Sequence, residues 1–204
     1  RRPAGGGYPS RLLHGLRRRR LFFQGEVHMF NSQNAAALLV VDTYLDREKK
    51  LPICDCPVIY KKAIDWARDA AKAIGVTTIF ESDKCELSEL DGYEIVIAIK
   101  ANTIIRRSNM RSAAAQFNGS IAMEANGVII AQIYTGADYR AHKDDLFSGC
   151  SSTLHVDDSY LLNNAMDVYR VNEAMRQSII KRHISNGVIF TDLSGVVIGR
   201  DTKI

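Results

Sequence analysis

The run AAALLVV at 35–41 is apolar at every position. A strand with one wet face alternates apolar and polar residues, so a short unbroken run is the pattern of a strand covered on both faces, as in parallel sheets flanked by helices. VTTIF at 76–80 is the next predicted strand, and YEIVIAIK at 93–100 reads as another buried one. A helix is predicted over 58–74, where Ile59, Ala63, Trp66, Ala67, Ala70 and Ala73 or Ile74 recur at three- and four-residue spacing and Gly75 supplies the stop. A second is predicted over 108–117, around Met110, Ala114 and Phe117. This order of elements predicts an α/β layered domain with a largely parallel sheet. Ligands of such sheets gather at the carboxyl ends of the strands. The segments after 35–41 and 93–100 are therefore expected to carry the chemistry.

The second half changes character. SIAMEANGVIIAQIY is two strands across an Asn-Gly turn, and VIFTDLSGVVIG at 188–199 reads as a second hairpin across Ser-Gly. Residues 137–158 are polar and read as irregular, and 160–184 as helical. The resemblance between the two hairpins is no greater than any pair of hairpins shows.

The formal charge of +4 over 204 residues misleads, because residues 1–29 hold seven Arg against one Glu. The remaining 175 residues carry 20 basic and 22 acidic side chains, a balance of −2 that makes no case for a nucleic-acid surface. The Arg-rich stretch suits a basic arm or a transit-like peptide, but LFFQG ahead of Met29 is similar to a protease-site remnant joined to a native start, and 1–29 is set aside as a leader. The expected organisation is then an α/β domain over 30–192 and the start of a further strand segment over 193–204. No apolar run approaches the roughly 18 residues of a membrane-spanning helix. Four scattered cysteines do not make a disulfide framework, and the one-residue gap of Cys54-Asp-Cys56 departs from zinc pairs, so free thiols in a reduced, cytoplasmic compartment are expected.

Candidate polar groups are few. His155, Asp157 and Asp158 cluster in HVDD, and His142 to Asp145 in AHKDD; both read as solvated loop charge, since no nucleophile sits in a recognisable turn. His183 is placed to favour a helix dipole. Arg106 and Arg107 follow the strand at 93–100, at a carboxyl end where phosphate binds. Neither a P-loop nor a dinucleotide fingerprint is present. No glycine occurs between Gly25 and Gly75, which excludes a glycine-rich cradle after the first strand.

The closing segment has paired asparagines Asn163-Asn164, Met175-Arg176, His183, Asn186-Gly187-Val188, Asp192 and Ile198-Gly199-Arg200-Asp201. In order and spacing it resembles the junction at which bacterial N-acetylglucosamine-1-phosphate uridylyltransferases pass from their transferase domain to a left-handed β-helix. LPICDCPVIYKKAIDWARDAAKAIGV at 51–76 and ANTII at 101–105 are weaker echoes of the same family, the latter of its Gly-Asp-x-Pro-Leu metal-binding turn. The resemblance implies a Rossmann-like nucleotidyltransferase-type layered domain with a mixed, mostly parallel sheet. It implies UTP or a sugar nucleotide as ligand, Mg²⁺ as cofactor, no membrane partner, and a place in cell-envelope precursor synthesis. Were the chain to continue beyond Ile204, a β-helix and a trimeric homo-oligomer would be implied. Carried over residue by residue, Arg47 is the surviving catalytic residue, Asn102 and Asn163 face Mg²⁺, and Arg106 and Arg107 bind substrate. The family's glycine-rich loop falls on DTYLDRE at 42–48, its Lys after Leu-Pro is Ile53, and its metal-binding Asp is Asn102. These departures leave two readings open: a divergent or inactive transferase, and a non-catalytic small-molecule sensing or scaffold domain.

Overall fold

A computed structural model describes residues 30, 33–46, 48–49, 51–148, 150, 152–193, 195–196 and 198. The leader at 1–29, Arg47 and most of 194–204 lie outside the described residues.

The first apolar run forms β1 (Ala35–Val40), and Ala35 to Leu39 are all buried. Two short pairs follow: β2 (Tyr44–Asp46) with β3 (Leu51–Pro52), and β4 (Pro57–Val58) with β5 (Lys61–Lys62). Helix α1 spans Ala63–Lys72, and β6 is Thr78–Glu81. After a 3-10 turn at Leu87–Leu90 come β7 (Ile95–Lys100), β8 (Thr103–Ile104) and α2 (Arg107–Ala115). The Asn-Gly hairpin is β9 (Ser120–Ala125) and β10 (Val128–Thr135); Asn126 and Gly127 both take positive φ, 51° and 79°, as a tight turn between twisted strands requires. Then come α3 (Gly136–His142), β11 (Thr153–His155), β12 (Tyr160–Leu161) and α4 (Ala165–Ser185).

The central sheet has six strands in the order β11-β9-β10-β7-β1-β6. β1 runs parallel to both β6 and β7, β10 is antiparallel to β7 and β9, and β11 is parallel to β9. The fold is thus α/β, Rossmann-like and layered, with a mixed, mostly parallel sheet. Side chains alternate between two cores. Ala35, Ala37 and Leu39 join Ile97, Ile99, Ile133 and the apolar faces of α1 and α2 on one side. Ala36 and Leu38 join Val96, Ala98, Tyr134 and Tyr139 of α3 on the other. Coverage on both faces is the physical reason these strands lack alternation.

Three expectations are corrected. The helix expected over 58–74 begins at Ala63, because Val58 to Lys62 turn back as the β4–β5 hairpin with Ile59 at φ 62°. The periodic residues Ala63, Trp66, Ala67 and Ala70 hold the helix; Ile59 matches the spacing only by coincidence. The stretch 137–158 is not irregular throughout, since it holds most of α3 and all of β11. Among the described residues of 188–199 there is no strand. Arg176 instead donates from Nη1 to the carbonyls of Leu193 and Val196, at 2.9 and 3.3 Å, and draws this segment onto α4.

Helix α4 reaches across the molecule to hold the β4–β5 turn. The Asn172 Oδ1 accepts from Ile59 N at 2.6 Å and its Nδ2 donates to Pro57 O at 3.2 Å. A β-branched residue at positive φ is strained, and these bonds fix it there. Asn172→Ala should therefore lower stability by about 2 kcal/mol in urea unfolding, since it strands the Ile59 N–H, while Asn172→Asp, which keeps that acceptor, should cost less. Gly136 is a second tight point: it donates to Glu94 O at 2.6 Å, and a Cβ there would overlap the Tyr93 carbonyl oxygen. Gly136→Ala should destabilise by about 2–3 kcal/mol by the same measurement.

Candidate functional site

The chain leaves β1 for β6 on one side and returns to β7 on the other, so the strand order reverses between β1 and β7. Outside their carboxyl ends lies the crevice position at which ligands of open α/β sheets usually bind. Asp42 and Thr43 follow β1, and Lys100 to Thr103 end β7.

These residues form one hydrogen-bonded chain. Asn102 is buried, and its Nδ2 donates to Leu162 O at 2.6 Å and to Thr43 Oγ1 at 3.2 Å. Thr43 Oγ1 donates in turn to Asp42 Oδ1 at 2.9 Å. The backbone completes the clasp, with Leu162 N donating to Asn102 O at 2.9 Å. Lys100 Nζ lies 3.9 Å from Asp42 Oδ2 and 5.2 Å from the centre of the Phe147 ring. The crevice thus presents one cation and one carboxylate, backed by hydroxyl and amide groups. Asn102 Oδ1 has no hydrogen-bond partner among the described residues.

The two expected metal ligands are brought close in chain terms, because Asn102 bonds to the residue before Asn163. As a pair they do not fit Mg²⁺. Both are neutral, whereas the ion is held by one or two carboxylates plus phosphate oxygens. The Asn102 Oδ1 is enclosed rather than offered to the crevice, while Asn163 is exposed and its backbone N–H is taken by Asp167 Oδ2 at 3.0 Å. The neighbouring Asn164 caps α4, its Oδ1 accepting from Asp167 N at 3.0 Å. Among the described residues no group of three His, Cys, Asp or Glu side chains is placed to hold a metal. Cys54 is buried and burial pushes its thiol up to about 12, which makes it a poor thiolate ligand.

Arg106 and Arg107 lie elsewhere. They open α2 and, with Trp66, Tyr160, Met175 and Arg182, line a cavity of about 380 Å³ that Asp42, Thr43, Lys100 and Asn102 do not line. Arg106 pairs with Asp158 at 3.0 Å and Arg107 with Asp69 at 3.0 Å. Lys61 Nζ also reaches Asp69, at 2.5 Å, and lies 4.1 Å from the centre of the Trp66 ring. The other polar clusters are structural. His155 faces Glu124 at 3.2 Å, Lys143 faces Asp91 at 3.1 Å, and His183 lies buried in the last turn of α4.

Lys100 and Thr43 are the members of the site that the sequence alone does not single out. Lys100 sits where the β7 pattern breaks from Ile-Ala-Ile to a charge, on the face of Ala98, and that break is its signal. Thr43 has none, since only the 59-residue separation closed by the Asn102 bond brings it into use.

The strand order and layers define an open α/β domain with a topological switch point between β1 and β7. No protein-family model matches the chain, and no curated protein matches it. A solved structure, the crystal structure of a Mycobacterium tuberculosis rv0371c homolog from Mycobacterium sp. strain JC1, is similar to it with a TM-score of 0.51 and 11% identity, over 72% of this chain and 100% of that one. At that identity the likeness is one of fold. No described helix is long and apolar enough to cross a membrane.

Burial pushes the Asp69 carboxyl up, but hydrogen bonds and charge from Lys61 and Arg107 outweigh it and hold the group below the usual carboxylate range. The stabilisation this cluster gives is therefore present above the ordinary Asp value of about 3.9 and is lost as pH falls through the lower, folded-state value. A carbon-detected NMR titration should show Asp69 titrating below the ordinary range in the folded protein. Arg107→Gln should move that midpoint upward.

Proposed function

We propose that this chain is a sugar-1-phosphate nucleotidyltransferase-like protein that takes UTP or a UDP-sugar into the crevice between β1 and β7, in a divergent form that binds better than it turns over. The observation that carries the reading is the clasp of Asn102 to Leu162. It joins the turn that resembles the family's metal-binding turn to the segment that resembles its paired-asparagine stretch, 60 residues later. Two segments of separate resemblance meeting at a switch point is what a nucleotide site of this ancestry requires.

The chain's own groups suit binding. Lys100 is the cation of the crevice and would meet a phosphate, releasing Asp42, its weak partner at 3.9 Å. Phe147, lying against Lys100, limits water at that ammonium. The groups for turnover are poorer. The segment after β1 has no glycine to bring backbone N–H groups around a triphosphate, and Asn102 stands where the family has a carboxylate. Arg47 remains the proposed catalytic residue of that segment. In the family, attack of a sugar-1-phosphate oxygen on the α-phosphate of UTP is assisted by Mg²⁺, which neutralises the developing charge. Any magnesium here would enter with the phosphates of the nucleotide. The reading places the protein in the cytoplasm and in cell-envelope precursor metabolism.

Isothermal titration with UTP and with UDP-N-acetylglucosamine, each with and without Mg²⁺, tests this. Micromolar binding that Lys100→Ala weakens about ten-fold is expected, as for loss of one charge-assisted hydrogen bond. Pyrophosphate release should be slow or absent. Silence with both ligands in either condition would sink the nucleotide reading and leave a sensing or scaffold domain.

A further inference from the structure

The cavity under α4 is not used by the crevice and has its own chemistry. We propose that it binds a small phosphomonoester carried on a flat apolar group. Its volume, about 380 Å³, falls at the lower end of small-molecule sites. Trp66, Ile104, Met175 and Ile179 give it an apolar wall, and Arg106, Arg107 and Arg182 give it three guanidinium groups. The lining carboxylates are Asp158 and Asp69, the partners of Arg106 and Arg107, and the space is large enough for a ring and one anionic head.

The arginines are set for phosphate. A guanidinium presents paired N–H donors that match two phosphate oxygens, which an ammonium does not. Arg106 and Arg107 begin α2, a nine-residue helix with no side-chain cap at its amino end and no acid in its first turn, and Ser108 of that turn lines the cavity. Helix polarity therefore adds to the two side chains at the same place. The competing carboxylates yield readily. Arg106 and Asp158 are 53% and 59% exposed, so their pairing is screened by solvent. Asp69 keeps Lys61 if a ligand takes Arg107. A phosphate head offers these paired N–H donors more oxygens than a carboxylate does, and the apolar wall has no use for an inorganic ion alone.

Trp66 is the only tryptophan of the chain, so its emission reports on this cavity. The test is a titration of the full chain with phenyl phosphate, inorganic phosphate and phenol, followed by Trp66 emission and by calorimetry. Saturable binding of phenyl phosphate is expected, with inorganic phosphate weaker and phenol weaker still. Arg106→Gln and Arg182→Gln should each weaken phenyl phosphate about ten-fold, the loss expected of one charge-assisted hydrogen bond. Asp42→Ala, which alters the crevice, should leave the titration unchanged, so that the cavity and the nucleotide crevice succeed or fail separately. Three results would overturn the proposal: no heat and no emission change, phenol binding as tightly as phenyl phosphate, or both arginine variants binding like the unsubstituted chain. Weakening by Asp42→Ala alone would move the probe to the crevice and would also overturn it.

Discussion

The clasp between Asn102 and Leu162 is the contact on which the arrangement of the carboxyl end depends. A buried primary amide must direct its donors to protein acceptors, because desolvation without a partner is costly. Asn102 directs them to Leu162 O and Thr43 Oγ1, and its backbone carbonyl accepts from Leu162 N in return. One residue thereby fixes the loop after β1, the turn after β7 and the approach to α4. β12 pairs with β8 immediately beside it, Tyr160 opposite Ile104 and Leu161 opposite Thr103, so the clasp also sets that register. Everything that could meet a ligand at the switch point is positioned by this junction.

Packing around the junction explains why two separate concavities coexist. Ile53, Val58, Ala63, Trp66, Ile104, Leu162 and Val171 form a third apolar cluster, distinct from the two that sandwich the sheet. It joins α1, β8 and α4, and its Trp66 and Ile104 also line the arginine-lined cavity. α4 is therefore an outer layer laid over α1 rather than part of the sheet's own cover. Its attachment joins that cluster to a polar tie from Asn172 to the β4–β5 turn, while Arg176, paired with Glu173 within the helix, holds the chain beyond it. Arg176 and Gln177 hold Glu173 at about 2, well below the ordinary range, which keeps this tie charged throughout the neutral and mildly acidic range.

How much of this is legible in the sequence follows from the range of each interaction. AAALLVV, YEIVIAIK and the Asn-Gly hairpin announce themselves within a few residues, and the sheet and its layers follow from them. The strand order also fixes the switch point between β1 and β7. The amino end of α1 is not legible, because Ile59 carries a helical spacing that the β4–β5 pairing and Asn172, 113 residues away, overrule. Among the described residues of 188–199 the expected strands are absent for a similar reason: Arg176 claims carbonyls that a strand would have used. Arg106 and Arg107 are legible as a basic pair after a strand but not in their location, since the cavity they line is closed by α4, about 70 residues later, through Met175 and Ile179.

The left-handed Ile59 has a consequence for the order in which the chain acquires its shape. The β4–β5 turn belongs to the first third of the sequence, yet the group that relieves its strain lies on α4, near the other end. During synthesis from the amino end, the sheet strands β1, β6 and β7 find their partners early, whereas this turn must wait for its last support. The hairpin and the arginine-lined cavity thus both depend on α4, since Asn172 holds the one and Met175, Ile179 and Arg182 line the other.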